Sequence, residues 1–183
     1  ARVRRDGDVQ EANLLYIAVT TDTGCFQYAN TNAATLRAAA RLLELGADNR
    51  RVSMEFFRKI SRARMALVGH IYSGMRFFRG GQIAIAVVTR ALIDALQATE
   101  DDCDDIAGLP GRADGVVVSV TIRELTDGRS KISVRTPPEV DSCAICAVYG
   151  GGGHKMASGC TLTCDPETAV EKILAAIDQV WPA

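Results

Sequence analysis

Four consecutive glycines, Gly150 to Gly153, are the feature that most restricts how this chain can fold. A glycine loses more backbone freedom on folding than any other residue, so a run of glycines is costly to order. A chain with such a run usually needs left-handed backbone angles or a close approach of its backbone to a ligand. His154 and Lys155 follow the run directly, and we expect the residues after them to open a helix.

This combination predicts a phosphate-binding cradle. Backbone N–H groups of a glycine loop, the N-terminus of a helix and two side chains that can carry positive charge would together bind an anion. The alternative is a flexible turn between a helix and a strand. We favour the phosphate site because plain turns rarely combine four glycines with a following His-Lys pair.

Two motifs resemble those of a known protein family. The GGGH sequence at 151–154, followed by ASG at 157–159, is similar to the GGGH…AAG signature of the DHH-associated (DHHA) domain of DHH phosphoesterases. Far upstream, TDTGCF at 21–26 and YANT at 28–31 resemble the last catalytic motif of that family, TDTG-x-F-x-Y-x-N-T. The resemblance covers essentially the whole chain. The branch that it resembles is that of the oligoribonucleases (nanoRNases) and pAp phosphatases.

The resemblance implies an α/β fold built from three parts. Residues 1–48 are predicted to be the C-terminal remnant of a DHH catalytic domain, and residues 49–75 a helical linker. Residues 76–183 are predicted to form the DHHA substrate-binding domain, a mixed β-sheet flanked by helices. A length of 183 residues suits one domain or two small ones.

Local patterns place the motif residues on secondary-structure elements. The resemblance implies that the apolar segment 10–21 is a buried helix that ends at Asp22. Thr31 or Asn32 is expected to cap a second helix, residues 33–45, which ends at Gly46 and has an apolar face formed by Leu36, Ala39, Ala40 and Leu43.

The C-terminal half contains a predicted hairpin. Residues 116–124 alternate between apolar and polar types, Asp127-Gly128 is typical of a hairpin turn, and residues 131–135 form the return strand. The further predicted elements are a helix over 141–149, a strand over 160–163 and a last helix that begins at Asp165-Pro166.

The resemblance implies hydrolysis of phosphoester bonds with two divalent metals, usually Mn²⁺. Two metals about 4 Å apart can activate water and stabilise the departing oxygen. Only Asp22 matches a metal ligand of the family, so Asp22 is the predicted catalytic and metal-binding residue. The sequence has no Asp-His-His triplet and no histidine before His70. We therefore expect this chain alone to retain no metal pair and to have no hydrolase activity.

The substrate-binding residues are better represented. Arg135, within Ser133-Val134-Arg135, resembles the family's S-x-R substrate arginine, and arginine binds phosphate through a bidentate fork. Its alternative is a surface charge at the edge of a sheet. His154 resembles the histidine that contacts substrate phosphate, with the backbone of Gly151, Gly152 and Gly153 beside it. The chain departs from the family pattern at Thr136-Pro137-Pro138, Ser158 and Gln27.

Composition limits the partners. The net charge is −1, so no global field attracts nucleic acid, and a short oligonucleotide or nucleotide held at a local site is the expected substrate. No apolar run is long enough to span a bilayer and no secretory signal is present, so we expect a cytoplasmic location and no membrane partner. A homodimer is a further partner that we consider.

Two other features leave alternatives open. The basic stretch from Asn49 to Met75 forms either an electropositive wall or an ordinary solvated helix face, and His70 within it is expected to be structural. The six cysteines are expected to be reduced core thiols, with a structural zinc site or disulfides as alternatives. The alternatives for the whole chain are a nucleic-acid-binding module without hydrolase activity and a zinc-stabilised interaction domain.

Overall fold

The computed structural model describes residues 6–182, which divide into two compact units. The first unit ends at Ile60 and the second begins at Ser61. This boundary falls inside the predicted linker 49–75. The division of the chain at residues 48 and 75 stays a prediction.

The first unit is helical. It comprises α1 (Asp6–Asp22), α2 (Ala33–Glu44) and α3 (Asn49–Ser53), and a π-helical turn (Met54–Arg58) continues α3. The side chain of Asn32 caps α2 by accepting hydrogen bonds from the backbone N–H groups of Ala34 and Thr35 at 2.9 and 3.1 Å. Gly46 follows α2 with a φ of 106°, which favours glycine at this position.

The core of this unit is small, so part of its apolar surface is exposed. Tyr16, Ala39 and Val52 are buried in it. The prediction that α1 is a buried helix is wrong for one side of the helix, where Leu14 and Leu15 are 68% and 57% exposed. The predicted apolar face of α2 is likewise mostly exposed: Leu36, Ala40 and Leu43 are exposed, and only Ala39 is buried. A unit with so few helices does not offer enough packing surface to bury the apolar side of every helix.

The second unit is a six-stranded mixed sheet flanked by helices, as the sequence predicts. The strand order is β1-β2-β3-β4-β6-β5; β2 and β3 are parallel, and every other pair is antiparallel. Its elements are α4 (Arg62–Gly74), β1 (Arg76–Phe78), β2 (Ile83–Val88), α5 (Arg90–Ala95), β3 (Val118–Glu124), β4 (Ser130–Arg135), α6 (Ser142–Ala147), β5 (Gly152–His154), β6 (Ala157–Leu162) and α7 (Pro166–Val180).

Successive residues along each strand project from opposite faces of the sheet. On one face, apolar side chains such as Ile122, Ile132 and Val134 pack in one core with Ile145 of α6 and Ile173 of α7. On the other face, α4, α5 and the loop before β3 cover β2 through a second core. The same loop also covers Ser119 and Thr121 of β3, which are buried. Arg135 and His154 lie on the remaining part of this second face, on β4 and β5.

Several smaller predictions can be compared with the fold. Asp165 caps α7 with Pro166 in its first turn, and Asp127-Gly128 turns β3 into β4, as expected. His70 lies exposed on α4, so the expectation of a structural role among apolar neighbours is wrong. All six cysteines are free thiols. Within residues 6–182, no helix is long and apolar enough to cross a membrane. The predicted cytoplasmic location stays a prediction.

Candidate functional site

The glycine run forms an edge strand. After Gly150 the chain enters β5, turns at Lys155-Met156 and returns as β6. The prediction of a helix after His154 and Lys155 is therefore wrong. Burial along β6 alternates with a period of two, and β6 pairs with β4, so these small residues are stabilised as a strand. The glycine run thus places backbone N–H groups at the edge of a sheet, where the sequence predicted a helix N-terminus.

Three glycines of the run are required by the fold. Gly150 and Gly153 have φ values of 70° and 144°, in the region that disfavours other residues. A Cβ atom on Gly151 would lie 2.4 Å from the Cβ of Cys160 and 2.4 Å from the carbonyl oxygen of Gly159. Gly152 is different, because its φ is not positive and a Cβ there would meet nothing within 4 Å. The fold does not explain why this residue is glycine.

Arg135 and His154 lie in one row across the sheet. Arg135 of β4 is directly opposite Ala157 of β6, and Ala157 is directly opposite His154 of β5. Residues directly opposite in antiparallel strands project from the same face, and strands are about 4.8 Å apart, so the two Cα atoms are about 10 Å apart. The small side chain of Ala157 between them leaves space above the sheet. Ser119 of β3 extends the row beyond Arg135.

The neighbouring rows make this side of the sheet polar. The next row comprises Thr121, Ser133, Gly159 and Gly152. We call the two rows together, from Ser119 to His154 and from Thr121 to Gly152, the polar face. Since Gly152 and Gly159 lie in adjacent strands of one row, the polar face has a patch without side chains beside His154. Such a patch admits a ligand close to the backbone.

Arg135 is half-buried between two clefts of the polar face. One cleft, of about 200 Å³, lies on the side of Ser133 and Lys131, and the other, of about 340 Å³, lies on the side of Ser119 and Thr136. The alternative of a strand-edge charge is wrong, because β4 lies between β3 and β6.

The charge of Arg135 is not neutralised by the residues that the structure describes. Its guanidinium donates one hydrogen bond, to the carbonyl oxygen of Val134 at 3.0 Å. Among residues 6–182 it has no carboxylate within ion-pair distance, whereas Arg123 on the adjacent strand pairs with Glu100 at 2.6 Å. An arginine without an acidic partner in a cleft is suited to an anionic ligand.

The turn after His154 is anchored from below by α6. The backbone N–H of Ser142 donates to the carbonyl oxygen of Lys155 at 2.8 Å, and its hydroxyl donates to the carbonyl oxygen of His154 at 3.2 Å. Thr136 pairs its backbone N–H with the carbonyl oxygen of Met156 at 3.1 Å. The backbone of His154 is thus fixed, while its side chain is exposed and has no hydrogen-bond partner in the described part of the chain.

A buried polar cluster beneath the turn was not found by sequence reasoning. The hydroxyl of Ser158 donates to the carbonyl oxygen of Ser142 at 2.5 Å and contacts the sulfur of Cys146 at 3.1 Å. Ser158 is one of the departures from the family pattern, and its hydroxyl is satisfied inside the protein. Hydrogen bonds from Cys160 and Ser158, together with the nearby charge of Arg135, lower the pKa of the Cys146 thiol to about 7. The same contact with Cys146, and burial, raise the pKa of Cys160.

Asp22 lies in the other unit, at the C-terminal end of α1, as predicted. Asn30 donates to the Asp22 carboxylate at 3.0 Å and to its carbonyl oxygen at 3.1 Å. The next residues, Gly24, Cys25 and Phe26, have consecutive φ values of 53°, 56° and 66°. Three successive residues in the left-handed region are rare, and strain of this kind is typical of functional turns.

The described residues do not form a dinuclear metal site. Asp22 is exposed, and no group of three or more His, Cys, Asp or Glu side chains between residues 6 and 182 could hold a metal ion. One carboxylate is not sufficient for two divalent ions. The structure therefore brings together Arg135, His154 and the glycine backbone within one unit, and it presents Asp22 separately in the other.

Comparisons with known proteins identify relatives that cover most of this chain. Residues 80–181 match the DHHA1 domain. The bifunctional oligoribonuclease and PAP phosphatase NrnA of Thermus thermophilus is 37% identical over 161 residues, which are 87% of this chain and 47% of that protein. The protein of the same name from Mycoplasma genitalium is 32% identical over 152 residues, 83% of this chain and 46% of that protein.

A solved structure has the same fold. The exopolyphosphatase-related protein of Bacteroides fragilis superposes with a TM-score of 0.85 and 26% identity, over 93% of this chain and 50% of that protein. This chain spans about half the length of the curated relatives that it matches.

Proposed function

This chain belongs to the DHHA1 domain family, and from that premise we propose that it is the substrate-binding portion of a metal-dependent phosphoesterase of the DHH type. The substrates that we propose are short oligonucleotides or nucleoside bisphosphates such as pAp. The relatives named oligoribonuclease and PAP phosphatase support this choice. The observation that carries the proposal is the row of Arg135, Ala157 and His154 beside the bare backbone at Gly152.

The chemistry of the row fits a terminal phosphate. Arg135 would form two parallel N–H···O hydrogen bonds with phosphate oxygens, which is the strongest geometry available to a side chain. The imidazole of His154 would donate to the same group from the opposite side of Ala157. Backbone N–H groups of the edge strand β5 would complete the site, because Gly152 has no side chain to keep a ligand away from them.

Hydrolysis requires residues beyond those described here. We propose that two Mn²⁺ ions serve the complete enzyme, that they would supply an activated water, and that Asp22 contributes one ligand. The remaining ligands would come from further polypeptide that covers the exposed apolar side of the first unit. The exposure of Leu14, Leu15, Leu36 and Leu43 supports a covering of this kind. The chain alone is then expected to bind substrate without turnover.

A second candidate is a nucleic-acid-binding module without hydrolase activity. It is favoured by one observation: Arg135 and His154 lie within the second unit, whereas the described residues offer no metal cluster. The TDTG motif around Asp22, with its left-handed turn, favours the enzyme instead, since a binding module would have no use for it.

Binding of pAp to variants tests the proposal. We expect Arg135→Ala and His154→Ala each to weaken binding of pAp about tenfold or more, because hydrogen bonds to charged groups contribute about 1.5–3 kcal/mol. Matched controls are Arg129→Ala, in the turn that precedes β4, and His70→Ala, on α4. Isothermal titration calorimetry with pAp measures the four variants. Unchanged binding in both site variants would exclude the proposed site.

Turnover distinguishes the two candidates. We expect the chain alone to release no phosphate from pAp with Mn²⁺, and the complete polypeptide to release it only with the metal. Asp22→Asn in the complete polypeptide is expected to abolish turnover while leaving pAp binding by the second unit unchanged. A complete polypeptide that binds pAp and never hydrolyses it would favour the binding module.

A further inference from the structure

The larger of the two clefts beside Arg135 is not used by the proposed phosphate site. Its volume is about 340 Å³, at the lower end of the range of about 300–1,000 Å³ that is usual for small-molecule sites. Thr136 and Pro137, which follow the last residue of β4, form part of its lining. Gly108, Val116 and Val117 contribute apolar surface from the segment before β3. The cleft is therefore large enough for one small group next to a phosphate at Arg135.

The two clefts beside Arg135 differ in charge. Of the described residues that line the larger cleft, only Arg135 carries a charge. The smaller cleft, of about 200 Å³, has Lys131, Asp104 and Asp105 in its lining. Taking charged side chains out of water costs free energy, so a neutral and largely apolar group is expected to enter the larger cleft.

The polar groups of the larger cleft already form hydrogen bonds within the protein. The Ser119 hydroxyl donates to the carbonyl oxygen of Arg135 at 3.4 Å, and the Thr136 hydroxyl donates to the carbonyl oxygen of Val140 at 2.7 Å. The backbone N–H of Thr136 donates to the carbonyl oxygen of Met156 at 3.1 Å. A ligand in this cleft would therefore be held mainly through contact with apolar surface. The flat face of a nucleobase suits such a contact, because every base has such a face.

Pro137 is a fixed part of the cleft. The backbone N–H of Val140 donates to the carbonyl oxygen of Pro137 at 3.2 Å, and the bond from Thr136 to Val140 closes the same loop. The ring of a proline also fixes its own φ. Pro137 is half-buried, whereas Pro138 is exposed and is not part of the lining. The two prolines belong to the segment in which the chain departs from the family pattern, so the resemblance does not imply this surface.

We propose that this cleft receives the base of the nucleotide whose terminal phosphate lies at Arg135 and His154, and that Pro137 is the surface against which the base packs. The inference rests on the proposed function, since it assumes that phosphate position. It concerns only the end of the substrate that is not cleaved, so the scissile phosphate stays available to the metal ions proposed at Asp22. It assigns a residue that makes the site prefer a nucleotide to a sugar phosphate.

The test compares adenosine 5′-monophosphate (pA) with ribose 5-phosphate, which has the same sugar and phosphate and no base. The native chain is expected to bind pA about tenfold more tightly, because packing of the base removes apolar surface from water. Pro137→Gly is expected to weaken pA binding about fivefold and ribose 5-phosphate binding less than about twofold. Pro138→Gly is the matched control and is expected to bind both probes as the native chain does. Isothermal titration calorimetry measures each affinity.

Gly108→Leu tests the cleft without altering the loop after β4. A Cβ on Gly108 would meet nothing within 4 Å, and the φ of Gly108 is not positive, so a side chain can be added there without a clash. The leucine would take up space in the cleft. We expect it to weaken pA binding towards the affinity for ribose 5-phosphate, which itself stays unchanged. Gly69→Leu, on α4, is the control, because a Cβ there also meets nothing within 4 Å.

The outcomes separate this inference from the proposed function. If the native chain binds pA no more tightly than ribose 5-phosphate, while Arg135→Ala loses both probes, the base cleft is overturned and the proposed function stands. If Pro137→Gly and Gly108→Leu weaken the two probes equally, the residues support the phosphate site and the base assignment is wrong. If neither probe binds the native chain, both proposals fail.

Discussion

Replacing Gly151 and Gly152 with alanine, one at a time, separates glycine that the fold needs from glycine that a ligand needs. At Gly151 the new methyl would lie 2.4 Å from the Cβ of Cys160 and from the carbonyl oxygen of Gly159. Carbon atoms in contact prefer about 3.5–4.0 Å, so strand β6 must move by about 1 Å. Overpacking of this kind costs about 1–3 kcal/mol.

The two variants are expected to have different effects on thermal stability and on pAp binding. For a chain of this size 1 kcal/mol corresponds to about 2–4 °C, so Gly151→Ala is expected to lower Tm by about 5 °C. Gly152→Ala meets open space and removes flexibility from the unfolded chain, so its Tm is expected to stay or rise slightly. Its methyl would occupy the bare patch of the polar face, and we expect pAp binding to weaken about tenfold.

Differential scanning fluorimetry and calorimetric titration with pAp measure both quantities on each variant. Gly69→Ala is the control, because Gly69 lies on α4 with nothing within 4 Å of an added Cβ. This control is expected to bind pAp normally. If Gly152→Ala also binds pAp normally, the run of glycines is a plain turn and the cradle is refuted. A native Tm for Gly151→Ala would contradict the packing argument.

Two further predictions concern the support of the turn. Asp141→Ala removes the cap of α6, where the carboxylate accepts from the backbone N–H of Ala144 at 3.0 Å, and is expected to cost about 1 kcal/mol in urea denaturation. The thiol pair predicts a pH dependence: because the pKa of Cys146 is lowered to about 7 and that of Cys160 is raised, the folded state holds fewer protons than the unfolded state between about pH 7 and the ordinary thiol pKa near 9. The difference in free energy of unfolding between the native chain and Cys146→Ala is therefore expected to rise with pH in that window. Above the window this difference is expected to fall, because both thiols of the unfolded chain are deprotonated there while Cys160 of the folded chain keeps its proton. Urea denaturation at pH 6.5, 8.5 and 10 checks this, and a flat difference would contradict it.

Local signals in the sequence predicted the ends of elements well. Asn32, Asp141 and Asp165 each accept hydrogen bonds from the first turn of the helix that they precede. These residues act within three positions of themselves, so no distant part of the chain decides the outcome. The Asp127-Gly128 turn is predictable for the same reason.

Features of the fold that depend on residues distant in sequence could not be predicted from local sequence patterns. The sequence predicted a strand only from residue 160 and expected the small residues before it to open a helix. Pairing with β4 makes Ala157–Leu162 one strand. The spacing of Leu36 and Leu43 indicates that α2 has an apolar side. It does not indicate which part of the protein, if any, packs against that side, and both residues are exposed. Burial within the unit therefore could not be inferred from periodicity.

The candidate site likewise depends on contacts between residues that are distant in sequence. Arg135 and His154 were chosen through the family resemblance, and their 19-residue separation in sequence gives no local sign that they share a row of the sheet. The contact between Ser158 and Cys146 likewise joins residues 12 apart on different elements. The shared row and the Ser158–Cys146 contact both depend on strand register, which cannot be predicted until the pairing of the strands is known.

A double-mutant cycle on Arg135 and His154 tests the central claim, that the two side chains bind one phosphate group of a nucleotide. Affinities for pA would be measured for the native chain, Arg135→Ala, His154→Ala and the double variant. If both side chains hold the same phosphate, the losses are coupled, and the double variant departs from the sum of the single losses by about 0.5–3 kcal/mol. Losses that add within experimental error, or single variants that bind pA as the native chain does, would contradict the account.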